Sequence, residues 1–195
     1  PGLDLLLGRC PGLRNRLLRL AAFQNPEFYK AQAMRLSTYD KPRVIACAED
    51  HAHHIGLPRG CLDDVRESLR ALGVRVTVRD ERHAGSPLEV SFRGELRPDQ
   101  KVAAEAMLAH DTGVLAASTA FGKTVVAAWL IAQRGVSTLV LVHRRQLLDQ
   151  WIERLSVFLG IPRKAIGRIG GGRTRPTGLL DVGIIQKMRL VSELA

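Results

Sequence analysis

Several residue classes are scarce in this 195-residue chain, and each scarcity excludes something. Cysteine occurs three times, at Cys10, Cys47 and Cys61, widely spaced and without a C-x-x-C pair. An odd, dispersed set argues against a disulfide framework or a zinc ribbon, and points to a reducing, cytoplasmic setting. No apolar run approaches the roughly 18 residues that a membrane span needs, and a basic secretory start is missing, so no membrane partner is expected. Acidic residues thin out along the chain: 12 Asp/Glu stand in residues 1–95 but 7 in residues 96–195. No Ser-His-Asp arrangement and no carboxylate pair stands out as a hydrolytic centre. Internal repeats and low-complexity tracts are absent. The first residue is Pro1 rather than Met, which reads as a cut or processed start.

What is present is ordinary in amount and uneven in place. Apolar content of 46% and charged content of 25% are globular values, with room for one large domain or two small ones. The net charge of +10 divides into +3 for residues 1–95 and +7 for residues 96–195. Within 163–175 stand Arg163, Lys164, Arg168, Arg173 and Arg175 with no acid among them. A polyanion such as DNA or RNA is one natural partner for such a stretch; a solvated basic face is the other reading.

The pattern of elements changes near residue 95. Residues 3–36 are helix-like, broken at Asn25-Pro26, where Pro26 can open a second helix. Residues 43–48 read as a short buried strand and 51–60 as a loop. Cys61 to Leu72 carries a helical stripe, capped by Gly73. Residues 74–79 and 88–92 alternate as half-exposed strands do. From Leu96 onward the reading is α/β: helix 98–110, strand 113–117, helix 123–134, strand 137–143, helix 144–159, and apolar segments near 165–169 and 181–186. Alternation of this kind predicts a parallel sheet covered on both faces. The expected domains are a helical connecting segment, 1–38, a small α+β accessory domain, 39–95, and an α/β unit, 96–195.

The densest chemistry lies at Ala117-Ser118-Thr119-Ala120-Phe121-Gly122-Lys123-Thr124. Strand, small-residue turn, Gly-Lys-Thr and helix form the arrangement of a nucleotide phosphate loop. Backbone N–H groups at a helix N-terminus make an anion cradle. Lys123 would reach the β/γ-phosphates of ATP, and Thr124 would offer its hydroxyl to Mg²⁺. Ala117 stands where the general pattern has Gly.

Four stretches together resemble the first RecA-like lobe of a superfamily 2 helicase, of the type shared by XPB-like repair helicases and the helicase subunits of type III restriction enzymes. Leu96-Arg97-Pro98-Asp99-Gln100 is similar to the L-R-x-x-Q signature, in which Gln100 would read the adenine edge, with Arg97 beside it. The phosphate loop resembles motif I, where Ala at position 117 is common but Ala120 departs from the usual Gly. Residues 139–151, including His143, Arg144 and Arg145, resemble motif Ia and its helix. Residues 181–188 resemble the next strand motif, with Ile185 where Thr is expected. The phrases at 23–29 and 54–60 look like the segment in front of the helicase module of TOTE conflict systems. The resemblance implies an ATP-dependent DNA helicase or translocase, with DNA favoured over RNA. It also implies a second RecA-like lobe in the parent protein and an Asp-Glu element beyond residue 195. No Walker B acid follows an apolar strand here, so the chain alone would lack turnover. The alternative is a non-catalytic nucleic-acid or partner-binding module on a degenerate lobe.

Other residues stay open on chemistry alone. His143, Arg144, Arg145, Arg168, Arg173 and Arg175 would contact a nucleic-acid backbone, or lie solvated. Gly170-Gly171-Gly172 would let a sugar-phosphate chain approach, or form an ordinary flexible loop. His51, His53 and His54 have a metal-like spacing without a further ligand nearby, so a polar surface loop is expected. Trp129 and Trp151, in apolar helices, are expected in the core.

Overall fold

The computed structural model describes residues 3–6, 11–172, 174–186 and 188. Cys10 and Arg173 therefore lie outside the described residues. The chain divides into two compact units, 1–82 and 83–195.

The first unit is α+β. Strand β1 (Leu3–Leu6) is followed by helix α1 (Pro11–Leu20), strand β2 (Ala22–Gln24), helix α2 (Pro26–Ala33), strands β3 (Val44–Ala46), β4 (Glu49–Asp50) and β5 (His54–Leu57), and helix α3 (Leu62–Ala71). Two antiparallel sheets result, β1-β5-β4 and β2-β3. Leu17 and Ala21, one helical turn apart, pack with Ile55, Leu57, Val65 and Leu69 into a dry core. Asn25 is buried because its side chain has work at both ends: Oδ1 accepts from Glu27 N–H (3.0 Å) and Nδ2 donates to Pro42 C=O (2.8 Å). That cap, with Pro26 in the first turn, starts α2 as the sequence predicts.

Four expectations for this unit need correction. Residues 3–6 and 22–24, expected as helix, form strands because they pair with β5, in register Leu3 to Leu57, and with β3, in register Ala22 to Ala46. The 51–60 segment holds a strand, β5, in place of a loop. Residues 44–46 are a strand but not a buried one, since Val44 stays 49% exposed. Residues 74–79 alternate as predicted yet join no ladder among the described residues, and Val74, Val76 and Val78 remain exposed. Strand propensity needs a partner edge to become a strand, and no edge is offered here.

The second unit is α/β. Helices α4 (Pro98–Leu108), α5 (Lys123–Arg134) and α6 (Arg145–Leu159) alternate with strands β6 (Thr138–Val142), β7 (Gly167–Ile169) and β8 (Leu180–Ile184). The sheet is parallel, in order β6-β8-β7, with Val140 opposite Val182 and Ile169 opposite Gly183. On α6, Leu148, Ile152, Leu155 and Leu159 recur every three or four residues and are all buried. They pack with Ala128 and Ile131 of α5 against Val142, Leu180 and Val182. Truncating fully buried Leu148 or Leu155 to Ala would cost about 2–5 kcal/mol each. Gly135 and Gly160 end α5 and α6 in the left-handed conformation.

Here too the sheet differs from expectation. Its Val140/Val182 face is covered by α5 and α6, but on the other face Leu139 and Leu141 stay 45% and 46% exposed. The predicted strand 113–117 joins no ladder, and Val114 is 92% exposed. An apolar run specifies a strand only through its neighbours, and among the described residues β6, β8 and β7 pair with one another and not with it. Residues 88–92 make no strand either: a single antiparallel bridge joins Pro87 to Val136, while Leu88, Val90 and Phe92 still alternate inward onto the core. Pro87 brings no N–H to extend the pairing, and its partner segment is the turn after α5.

Candidate nucleotide and nucleic-acid site

The phosphate-loop segment enters α5 through two left-handed residues, Ala120 (φ 65°) and Gly122 (φ 88°). Gly122 tolerates this conformation, whereas Ala120 adopts it at a cost of about 1–2 kcal/mol. A Cβ on Gly122 would also sit 2.5 Å from Gln100 Nε2. The N–H groups of Gly122, Lys123 and Thr124 open the helix and make no hydrogen bond among the described residues. Lys123 is exposed and turns back on its own loop, donating from Nζ to the carbonyls of Ala117 (2.7 Å) and Ser118 (2.8 Å). Thr124 is half-buried next to it, while Ser118 and Thr119 are exposed.

Arg97 and Gln100 reach this loop from the start of α4. Gln100 is buried, at 3% exposure, and both ends of its amide are engaged. Oε1 accepts from the Arg97 backbone N–H (3.0 Å), and Nε2 donates to the Phe121 carbonyl (2.7 Å). The Arg97 guanidinium donates to that same carbonyl (2.9 Å) and lies 5.9 Å from the Phe121 ring centroid. Hydrogen bonds from the same guanidinium hold the exposed Asp99 carboxyl below the usual carboxylate range. In this state Gln100 ties helix α4 to the loop, with no free edge to offer a base.

α5 runs back along the sheet and returns to β6 through residues 135–137, so its N-terminus lies toward the carboxyl ends of the strands. The basic residues divide: His143, Arg144 and Arg145 follow the carboxyl end of β6, whereas Arg168 lies mid-strand in β7 opposite Val182, with Arg175 bridged to it. His143, Arg144 and Arg145 leave β6 exposed. Gln186, just past β8, donates to the His143 carbonyl (3.3 Å). Arg168 and Arg175 face each other across a backbone bridge (3.0 and 2.7 Å), and the glycine loop between them bends beside Arg145. Arg173 lies outside the described residues.

Tertiary contacts alter the charge of the basic stretch. Arg168 pairs with Asp149 (2.6 Å) and Arg163 with Glu153 (2.9 Å), both acids lying one turn apart on α6. Arg168 is thereby three-quarters covered and committed to α6, while Lys164 and Arg175 stay exposed.

The sequence placed Asp181 at the start of the 181–188 motif without giving it a site role. It is buried, and it accepts from Thr177 N–H (2.8 Å), Thr177 Oγ1 (2.7 Å) and Gly178 N–H (3.0 Å), pinning the turn that follows Arg175. A Cβ on Gly167 would overlap its carboxylate. The available signal was an acid inside a buried apolar strand, which must find donors to be stable there. Trp151 packs against the core, whereas Trp129 is half-buried beside a shallow groove with Phe92, Leu96 and Lys101. His51 stacks on His54, with ring centroids 4.3 Å apart, and Glu49 lies 3.4 Å from His51. Among the described residues no group of three or more His, Cys, Asp or Glu is placed to hold a metal ion, and no helix is long and apolar enough to cross a membrane.

A parallel sheet flanked by helices α5 and α6, with a Gly-Lys-Thr turn at the start of α5, defines an α/β class of protein. The comparisons narrow that class. Residues 93–192, just over half of the chain, match the family model "Type III restriction enzyme, res subunit", and the chain belongs to that family. It is 28% identical over 190 residues to the Rad25 protein of Haloarcula marismortui, named as a DNA 3'-5' helicase, covering 87% of this chain and 31% of that one. It is 35% identical over 85 residues to the DNA 3'-5' translocase XPB2 of Sulfurisphaera tokodaii, covering 44% of this chain and 19% of that one. The UvsW helicase from bacteriophage T4 shares the fold at 16% identity and a TM-score of 0.58, covering 89% of this chain and 68% of that one. The chain spans about a third or less of the length of these curated relatives. Its second unit is a first RecA-like lobe of the superfamily 2 helicase type.

Proposed function

We propose that this chain is the nucleotide-binding and part of the DNA-binding portion of an ATP-dependent helicase or translocase. The observation that carries this is Lys123, placed at a helix N-terminus whose first N–H groups lack partners among the described residues. The residues fit a bound nucleotide: residues 117–122 are mostly small, Lys123 is exposed, and the Thr124 hydroxyl makes no hydrogen bond. ATP with Mg²⁺ would supply the phosphoryl group whose transfer drives movement. The chain's own part is to hold it. Lys123 exchanges two neutral carbonyl acceptors for charged phosphate oxygens, which make the stronger hydrogen bonds. Thr124 offers its hydroxyl to the metal ion. Gln100 must release the Phe121 carbonyl before its amide can meet an adenine edge, so adenine recognition is coupled to opening of the loop.

Arg144, Arg145 and Arg175 hold the DNA backbone in this reading, with Arg168 as a second-rank contact because Asp149 already claims it. Residues 1–38, expected as a separate connecting segment, share a sheet and a core with residues 54–69, so 1–82 is taken as one accessory unit that precedes the lobe, 83–195, in the chain. β6 is followed by His143, β7 by Gly170 and β8 by Ile185, so among the described residues no strand of this sheet leads into a carboxylate that could hold the metal ion. Hydrolysis by this chain alone therefore stays near background, and the acidic element and second lobe belong to the full-length protein. Calorimetry with ADP or a non-hydrolysable ATP analogue tests the site. Binding is expected in the wild type and lost in Lys123→Ala; equal affinity in both would overturn the assignment.

A further inference from the structure

The geometry points to a second binding surface, in the first unit: we propose that residues 74–78 accept an acidic, partly apolar, extended peptide of a partner protein as an added β-strand. The inference is independent of the nucleotide site. It starts from a sequence feature that the fold leaves unused. Val74-Arg75-Val76-Thr77-Val78 alternates like a half-buried strand, yet it pairs with no strand among the described residues. Its backbone makes one recorded hydrogen bond, from Val74 N–H to the Leu69 carbonyl (3.0 Å). The remaining N–H and C=O groups form an open edge, the template for strand addition.

The side chains describe the partner. Val74, Val76 and Val78 line one groove of about 430 Å³ together with Arg75 and with Arg66, Arg70 and Gly73 of the α3 end. The three valines are 37–49% exposed and offer apolar contact. Arg70 and Arg75 meet no carboxylate among the described residues, unlike Arg66, which meets Asp63 at 3.5 Å, and Arg79, which meets Glu81 at 2.9 Å. Two unmatched guanidinium groups over an apolar floor call for carboxylates alternating with aliphatic side chains. A nucleic-acid strand fits less well, because no aromatic ring lines the groove to stack a base.

The test uses the full chain and a blocked nine-residue peptide of alternating glutamate and valine. Control probes are the same peptide with lysine for glutamate and a single-stranded oligonucleotide. Fluorescence anisotropy should show saturable binding of the acidic peptide but not of the lysine peptide, weakened at least tenfold by Arg70→Glu with Arg75→Glu, while oligonucleotide binding through the second unit is unchanged by these substitutions. Val76→Pro, at an exposed position outside any helix or ladder, should weaken it comparably by removing one ladder N–H. Hydrogen exchange should slow at residues 75–78 when the peptide is bound. The proposal is overturned if the acidic peptide does not bind, or binds equally well to both variants. Binding without slowed exchange at 75–78, or capture of the oligonucleotide by this groove in its place, also overturns it.

Discussion

Asp181→Asn is the perturbation that most directly tests how the turn leading into β8 is built. The native carboxylate is 8% exposed and takes three donors from the 177–178 turn. Asparagine keeps the shape but turns one acceptor into a donor. If the remaining oxygen keeps the two Thr177 bonds, the amide nitrogen faces the Gly178 N–H, donor against donor. The lost charge-assisted bond is worth about 1.5–3 kcal/mol, and the two retained bonds weaken because they become neutral. Two effects oppose this: a buried charge no longer needs desolvating, and the Gly178 N–H can turn to water because its turn is exposed. A net loss of about 2–3 kcal/mol is the expected balance, or a fall of about 5–10 °C in the unfolding midpoint. Tryptophan fluorescence is the suitable probe, since Trp129 and Trp151 both belong to the second unit. Thr177→Val removes one of the same donors, so the two changes should couple by about 0.5–3 kcal/mol in a double-mutant cycle. An unchanged midpoint, or full additivity with Thr177→Val, would refute the claim that this carboxylate anchors the turn.

Gly122→Ala should destabilise the second unit by about 2–3 kcal/mol, from the left-handed strain and the forced loss of the Gln100–Phe121 bond. It should also abolish nucleotide binding, and a thermal melt with calorimetry checks both. Replacing Arg145 and Arg175 together by Ala should make the salt dependence of DNA binding shallower, by about 1.4–1.8 in the log–log slope. An unchanged slope in titrations across salt concentrations would remove these two residues from the interface. Among the described cysteines, exposed Cys47 should alkylate well before Cys61, whose thiol pKa burial pushes up. Peptide mass spectrometry over an alkylation time course would read that order, and a faster Cys61 would contradict it.

The sequence by itself determined the elements whose signals are local. The helix start at Pro26 and the helices read at 123–134 and 144–159 were legible because proline geometry and apolar pattern act within a few residues. Family membership was legible in the same way, through short motifs of fixed spacing around Lys123 and Gln100. Strand pairing was not. Residues 74–79 and 113–117 carry good strand patterns and join no ladder, while Leu3–Leu6, read as helix, pairs with β5. A strand exists only through hydrogen bonds to residues distant in sequence, so no local pattern can certify it. Charge behaved likewise. The run from Arg163 to Arg175 reads as wholly basic, yet the fold brings Asp149 and Glu153 against two of its guanidinium groups. Coulomb attraction depends on distance in space, and folding sets that distance without regard to the spacing along the chain.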